Sequence, residues 1–260
     1  MGIELMLIPI GFFIATISSM VGLGGGVFIV PMLVLAFGLP AQNAVGISLI
    51  TMTFATISAT IAYSRQRKIN YRVGILLDVL DVPGVILGVY LTTLLAPGRL
   101  AGLFGILLFI IAIYMIRKRE VRRSIQPNPR RGLLGLSTRV ILICLAASFA
   151  SGTVAGMFGA GGGTVDELVM ILALSMPVHI AAGTSVFGMA LTNTAAAISH
   201  GTLGNILPGY AIPLIIGAVF GAQLGPRLSK HVKGQTLKKI LSVVFILIAL
   251  RMIIIPYISA

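Results

Sequence analysis

The stretches GLGGGVFIVPMLVLAFGLPAQNAVGISL, residues 22–49, and GAGGGTVDELVMILALSMPVHIAAGTSV, residues 159–186, state one pattern twice. A shift of 137 residues (161 minus 24) carries Gly24, Gly25, Gly26, Pro40, Gly46 and Ser48 onto Gly161, Gly162, Gly163, Pro177, Gly183 and Ser185 without a gap. The register holds beyond the quoted residues: Thr16 falls on Thr153, Met52 on Met189, Gly84 on Gly221 and Gly88 on Gly225. Two copies of an apolar unit, each interrupted by a triple glycine, point to a secondary transporter whose binding site lies where the copies meet.

Composition agrees with a chain that lives in lipid. Of its 260 residues 57% are hydrophobic and 10% charged, and the mean hydropathy is +1.07. Apolar runs of the ~20 residues needed to cross a hydrocarbon core recur from end to end, so an all-α polytopic membrane protein, with the lipid bilayer as its solvent, is expected. The net charge of +13 sits in the interruptions between those runs, without interleaved aromatics, which argues against a nucleic-acid partner. The single cysteine, Cys144, excludes a disulfide framework and a thiolate metal cluster. It is read as a packing or lipid-facing residue. No basic stretch precedes the first apolar run, and residues 3–21 are read as a retained segment in a multi-pass protein of the plasma (cytoplasmic) membrane.

Breaking the runs at glycine, proline and charge gives segments 3–21, 27–38, 42–64, 71–95 and 99–116 in the first copy. The second repeats them as 139–158, 164–175, 178–201, 206–228 and 236–256. The domain reading is a first repeat at 1–116, a basic cytoplasmic linker at 117–136 and a second repeat at 137–260. A segment as short as 27–38 reaches ~18 Å as a helix against ~30 Å of hydrocarbon, so it re-enters or pairs with its neighbour. Three further crossings per copy then invert the second copy relative to the first.

Charges test that inversion. Arg65, Arg67 and Lys68 fill the connection whose counterpart, 202–205, has no cation, while Arg99 stands alone where the second copy has Lys230, Lys233, Lys238 and Lys239. Reciprocal gain and loss is what the positive-inside rule gives for inverted-topology repeats, with both termini outside and the linker inside. The competing reading is eight plain helices with the short pieces as loops.

A helix that restarts within the membrane presents backbone N–H groups and the positive end of its dipole, which suits an anion. Gly24, Gly25 and Gly26 and their copies Gly161, Gly162 and Gly163 are therefore candidate substrate-binding residues, the alternative being close helix packing. Asn43, Gly46 and Ser48, with Gly183, Thr184 and Ser185, follow a proline at the start of a long helix and join the candidate set. His179, at the head of 178–201, is a further possible contact. His200 and Asn193 on the same segment are left without a role. Thr53, Ser58 and Thr60 are expected to bond back to their own helix.

The quoted stretches, with Gly84, Gly88, Gly221 and Gly225, resemble the TauE/SafE family of membrane permeases over nearly the whole chain. The resemblance implies movement, often outward, of sulfite, sulfonates and related sulfur-containing anions, with the glycine triplets and residues 46–48 and 183–185 as the binding elements. The chain departs from symmetry at its acids: Asp166 and Glu167 replace Ile29 and Val30, and Asp78 and Asp81 face Ile215 and Ala218. Intramembrane carboxylates ask for a reason. Asp78, Asp81, Asp166 and Glu167 are candidates for proton or cation coupling, with a wet cavity near Arg72 or a helix cap as alternatives. No metal spacing, cofactor motif or nucleophile–base set is visible, so an enzyme is not expected. The same architecture would serve a carboxylate, sulfide or thiosulfate permease. A non-transporting scaffold subunit is the reading from another class.

Overall fold

A computed structural model describes residues 2–21, 25–117, 138–159, 161–163, 166, 169–170, 174, 176–228 and 234–258. Among them it places α1 (Gly2–Val21), α2 (Gly26–Phe37), α3 (Ala41–Arg65), α4 (Tyr71–Thr93) and α5 (Pro97–Arg117) in the first repeat. In the second are α6 (Thr138–Phe158), α7 (Val178–Thr202), α8 (Pro208–Leu228) and α9 (Gly234–Ile258). The described residues form helices, turns and irregular backbone, without a strand. Leu23, Gly24, Ala160, Glu167 and most of the linker lie outside the described residues, as does the side chain of His179.

Local signals set these boundaries. Pro40 and Pro177 stand just ahead of α3 and α7, where a missing N–H removes no helical bond. The short α2 stops because Gly38 takes φ 65°, and the next amide, Leu39 N–H, donates to Leu33 O at 3.1 Å. Asn70 caps α4 by accepting from Val73 N at 3.3 Å. At 12 residues α2 keeps the length read from the sequence.

The repeats pack crosswise. Helix α1 lies along α8 and α6 along α4, with Gly221 against Phe12 and Gly225 against Thr16 on one side, and Gly84 against Phe149 and Gly88 against Thr153 on the other. Applying the 137-residue shift turns each of these pairs into its counterpart. Gly46 meets the Asn205 carbonyl as Gly183 meets that of Lys68, another exchanged pair. Small residues let these backbones approach, as helix association in lipid requires.

At the centre α3 crosses α7. Tyr63 lies against Gly183, Thr60 Oγ1 is 3.5 Å from Val186 O, and Asn43 Nδ2 donates to Asn205 O at 3.3 Å. Residue numbers fall along α7 as they rise along α3, so these two equivalent helices run antiparallel. In α1 and α8, and in α4 and α6, the numbers rise together.

Among the described residues, α3, α4 and α8 are long and apolar enough to cross a membrane. Large apolar side chains cover the outside, including Phe13, Ile86, Ile198 and Phe220, a surface suited to lipid tails. The interior pairs Ile29, Leu33, Ile47 and Leu49 with small residues such as Ala44 and Ala218. Cys144 is buried among Val73, Leu77 and Met170, as a packing residue. Thr53 bonds back to Leu49 O as expected, but Ser58 donates to Val219 O at 2.8 Å and Thr60 lies nearest Val186 O. Those two hydroxyls tie α3 to α8 and α7 because the crosswise packing brings foreign carbonyls close.

Candidate functional site

The two breaks meet. Gly159 ends α6 with φ 64°, and Gly161 takes φ 71°, a left-handed pair of positions that only glycine adopts freely. Gly26, the first residue of α2, abuts the Gly159 carbonyl so closely that a Cβ there would overlap its oxygen. Ser48 Oγ donates to that same oxygen at 3.2 Å. Opposite, Ser185 Oγ donates to Gly163 O at 2.7 Å and Ser151 Oγ to Gly162 O at 2.6 Å. Gly25, Gly26, Gly161, Gly162, Gly163, Ser48 and Ser185 thus come together where α3 crosses α7.

Both serines are buried and bonded, so removing the hydroxyl strands a carbonyl. Ser185→Ala is expected to cost about 1 kcal/mol and Ser48→Ala less, in line with 2.7 against 3.2 Å, measured as the shift in thermal unfolding of the purified protein.

Other sequence candidates are held elsewhere. Asn43 and Gly46 lie against Asn205 just beyond α7, and Thr184 Oγ1 accepts from Asn70 N at 2.9 Å, with Gly183 against Lys68. These four contact the loop of the opposite repeat. His200, read from its place at a segment end, is fully buried. Its Nε2 lies 3.1 Å from Gly156 O and its Nδ1 accepts from Asn205 Nδ2 at 3.0 Å, which fixes the Nε2–H tautomer.

A small cavity of about 20 Å³ adjoins the first break, lined by Ser18, Ser19, Gly25, Met52, Thr56 and Met189 among others. Its three hydroxyls bond back to Ile14, Ala15 and Met52 carbonyls. Each can rotate toward a small guest by exchanging one bond for another, and the space as it stands has room for about one water.

On the other side of the crossing lies a polar cluster. Thr192 Oγ1, on α7, is 3.2 Å from Asp78 Oδ1 and 3.1 Å from Asp81 Oδ2. Ser148 Oγ, on α6, donates to Leu77 O and stands 3.3 Å from Asp81 Oδ1, and Ser151 Oγ is 3.4 Å from Asp166 Oδ2. The Asp81 and Asp166 carboxyls are within hydrogen-bonding reach of each other. Asp78 Oδ2 and Asp166 Oδ1 have no partner. The wet cytoplasmic cavity near Arg72 is not what surrounds Asp78 and Asp81, which are buried between α6 and α7.

Asn193 is the most unusual group. It is 0% exposed, and neither its Nδ2 nor its Oδ1 has a hydrogen-bond partner. On α7 it shares a stripe with Met189, which packs on Gly163, and His200, which bonds to Gly156 O, so it faces the backbone of the second break. Sequence reasoning left Ser148, Ser151, Thr192 and Asn193 without a role. A signal was present: the shift pairs them with Gly11, Ile14, Ala55 and Thr56, the same polar-for-apolar exchange at three positions that marked the aspartates. Among the described residues, no three or more His, Cys, Asp or Glu side chains are placed to hold a metal ion.

The chain is 29% identical over 265 residues, covering 95% of this chain and 96% of the relative, to a protein named "Probable membrane transporter protein YunE" in Bacillus subtilis. A second, YdhB of the same organism, is 25% identical across 90% of this chain and 94% of its own length. One from Methanocaldococcus jannaschii, also named a probable membrane transporter protein, is 26% identical across 96% of this chain and 95% of its own. No solved structure matches. The model described as Sulfite exporter TauE/SafE matches residues 7–252, and the chain, a membrane protein with its two glycine breaks in contact, belongs to that family.

Proposed function

We propose that the chain is a secondary transporter that exports a small sulfur-containing anion, such as sulfite or an organosulfonate, by alternating access around the meeting of its two breaks. The observation that carries this reading is the contact of Gly26 with Gly159, which brings the interrupted helices of both repeats to one point. Helix starts offer backbone N–H groups and a positive dipole end to an anion, and Ser48, Ser185 and Asn193 add side-chain groups around them. The antiparallel crossing of the equivalent helices α3 and α7 supports inverted repeats, since a two-fold axis lying in the membrane plane reverses the sense of each helix that it copies. With the loop cations inside, both termini lie outside a plasma membrane that the chain crosses several times. The chemistry is carriage, not catalysis.

A solute that binds the folded state raises apparent stability, by about 2.7 kcal/mol at a hundred times its Kd. Thermal unfolding of the purified protein across sulfite, thiosulfate, methanesulfonate and acetate is expected to show a concentration-dependent rise with a sulfur oxyanion and less with acetate. A rise with acetate alone would move the substrate to the carboxylates. No rise with any of them contradicts the reading and favours a scaffold.

A further inference from the structure

Asp78 and Asp81 of the first repeat join Ser148, Ser151, Asp166 and Thr192 of the second in a polar cluster whose counterpart under the repeat shift is apolar throughout. Asp78, Asp81, Ser148, Ser151, Asp166 and Thr192 stand where the 137-residue shift puts Ile215, Ala218, Gly11, Ile14, Ile29 and Ala55. The helices pack alike in both halves, so the crosswise packing does not require the acids. All three are at least nine-tenths buried, Asp78 Oδ2 and Asp166 Oδ1 have no partner, and the fully buried, unpartnered Asn193 amide adjoins the cluster through Thr192. An open groove between α4 and α7, holding about 470 Å³ and lined by Ile75, Val79, Leu191 and Ile198 of the apolar outer surface, reaches Asp78.

From this geometry we propose that Asp78, Asp81 and Asp166 form an exchangeable proton site, which binds a proton together with the anion and carries both in the same direction. Two carboxyls within hydrogen-bonding reach, as Asp81 and Asp166 are, need a proton between them. The step is carboxylate plus proton giving carboxylic acid, with only an O–H bond made or broken. Asp166 follows the second triplet, its N–H donating to Gly162 O at 3.4 Å, so an ionised cluster repels an anion at the break and a protonated one admits it. Loading of proton and anion is thereby mutually favourable. Among described residues the titratable groups on the elements packed around the cluster are few. They are Tyr71, Arg72 and Tyr90 on α4, Cys144 on α6, buried against Val73 and Leu77, and His200 on α7, bonded to Gly156. Among the described residues, no Lys, Arg or His neutralises the three acids.

The proton site is tested on the full chain in lipid by infrared spectroscopy of the protonated-carboxyl C=O stretch during a pH titration. A band that fades as pH rises, and is lost or shifted in Asp81→Asn and Asp166→Asn, is expected. No such band at any pH, or one unchanged in both variants, overturns the proposal. So does a band removed at constant pH by sodium chloride but not by choline chloride, since the occupant is then sodium. The coupling half rests on the transport reading and is tested with methanesulfonate, which stays ionised, in proteoliposomes under a pH gradient. About tenfold accumulation per pH unit is expected of the native chain, and equilibration without accumulation of Asp166→Asn. Equilibration without accumulation by the native chain overturns coupling. Absence of any anion flux counts against the transport reading itself, and the infrared band still decides the proton site.

Discussion

Replacing Asn193 with leucine is expected to abolish transport while leaving the protein as stable as before or more so. A buried amide with neither nitrogen nor oxygen bonded costs about 1–3 kcal/mol, and leucine fills a similar volume without that penalty. The native chain keeps the amide where it faces the second break, which makes sense if a solute completes its hydrogen bonds. A bond to a charged solute is worth about 1.5–3 kcal/mol, so its loss weakens binding by roughly 10- to 150-fold. Paired measurements of unfolding temperature and anion flux check this. A variant that unfolds earlier but transports normally would make Asn193 a structural residue with a partner elsewhere.

The second large effect belongs to Gly26. A methyl group there enters the Gly159 carbonyl oxygen, and Ser48 Oγ would lie 2.9 Å away, so a side-chain rotation alone gives no relief. Backbone must move at the point where both repeats touch. Gly26→Ala is expected to cost about 3 kcal/mol or more, at the upper end for overpacked interiors, with loss of folded protein and of flux. Gly102→Ala is the matched control. Nothing lies within 4 Å of a Cβ at Gly102, on α5, and alanine is the better helix former there by up to about 1 kcal/mol. The contrast is read as monodisperse yield in detergent and as unfolding temperature. Equal behaviour of the two variants would mean that the breaks do not meet.

The sequence made the within-repeat features legible and left the between-repeat ones dark, for a physical reason. The short α2 and the prolines ahead of α3 and α7 are local signals, and the structure places them within a residue or two of where pattern and proline put them. Ser48 and Ser185 were readable because their duplicated position near a break set them apart. The neighbours of Asp81 were not readable, because Ser148 and Thr192 arrive from helices more than 60 residues away, through a crosswise packing that no single-repeat pattern encodes. The partners of Asn43 and Thr184 were hidden for the same reason. Each looks like a donor at a helix start, yet each is engaged by a loop from the opposite half.

The repeat comparison recovers part of that loss. Where two copies share a fold, a polar residue in only one of them is the exception that packing cannot account for, and the acids and the hydroxyls of Ser148, Ser151 and Thr192 stand out on that basis. Their concentration on one side of the α3–α7 crossing gives the two halves different duties in the proposed cycle. The first break, with its small hydroxyl-lined cavity, offers hydroxyls to a small guest. The second, beside Asp166, sets when the anion is admitted.

Flux of radiolabelled sulfite into proteoliposomes containing the purified chain tests the central claim most directly. The account predicts saturable uptake well above that of protein-free vesicles, competed by other sulfur oxyanions and removed by Asn193→Leu. Uptake at the protein-free rate for sulfite and every competing anion, with folded protein in the vesicles, would contradict it.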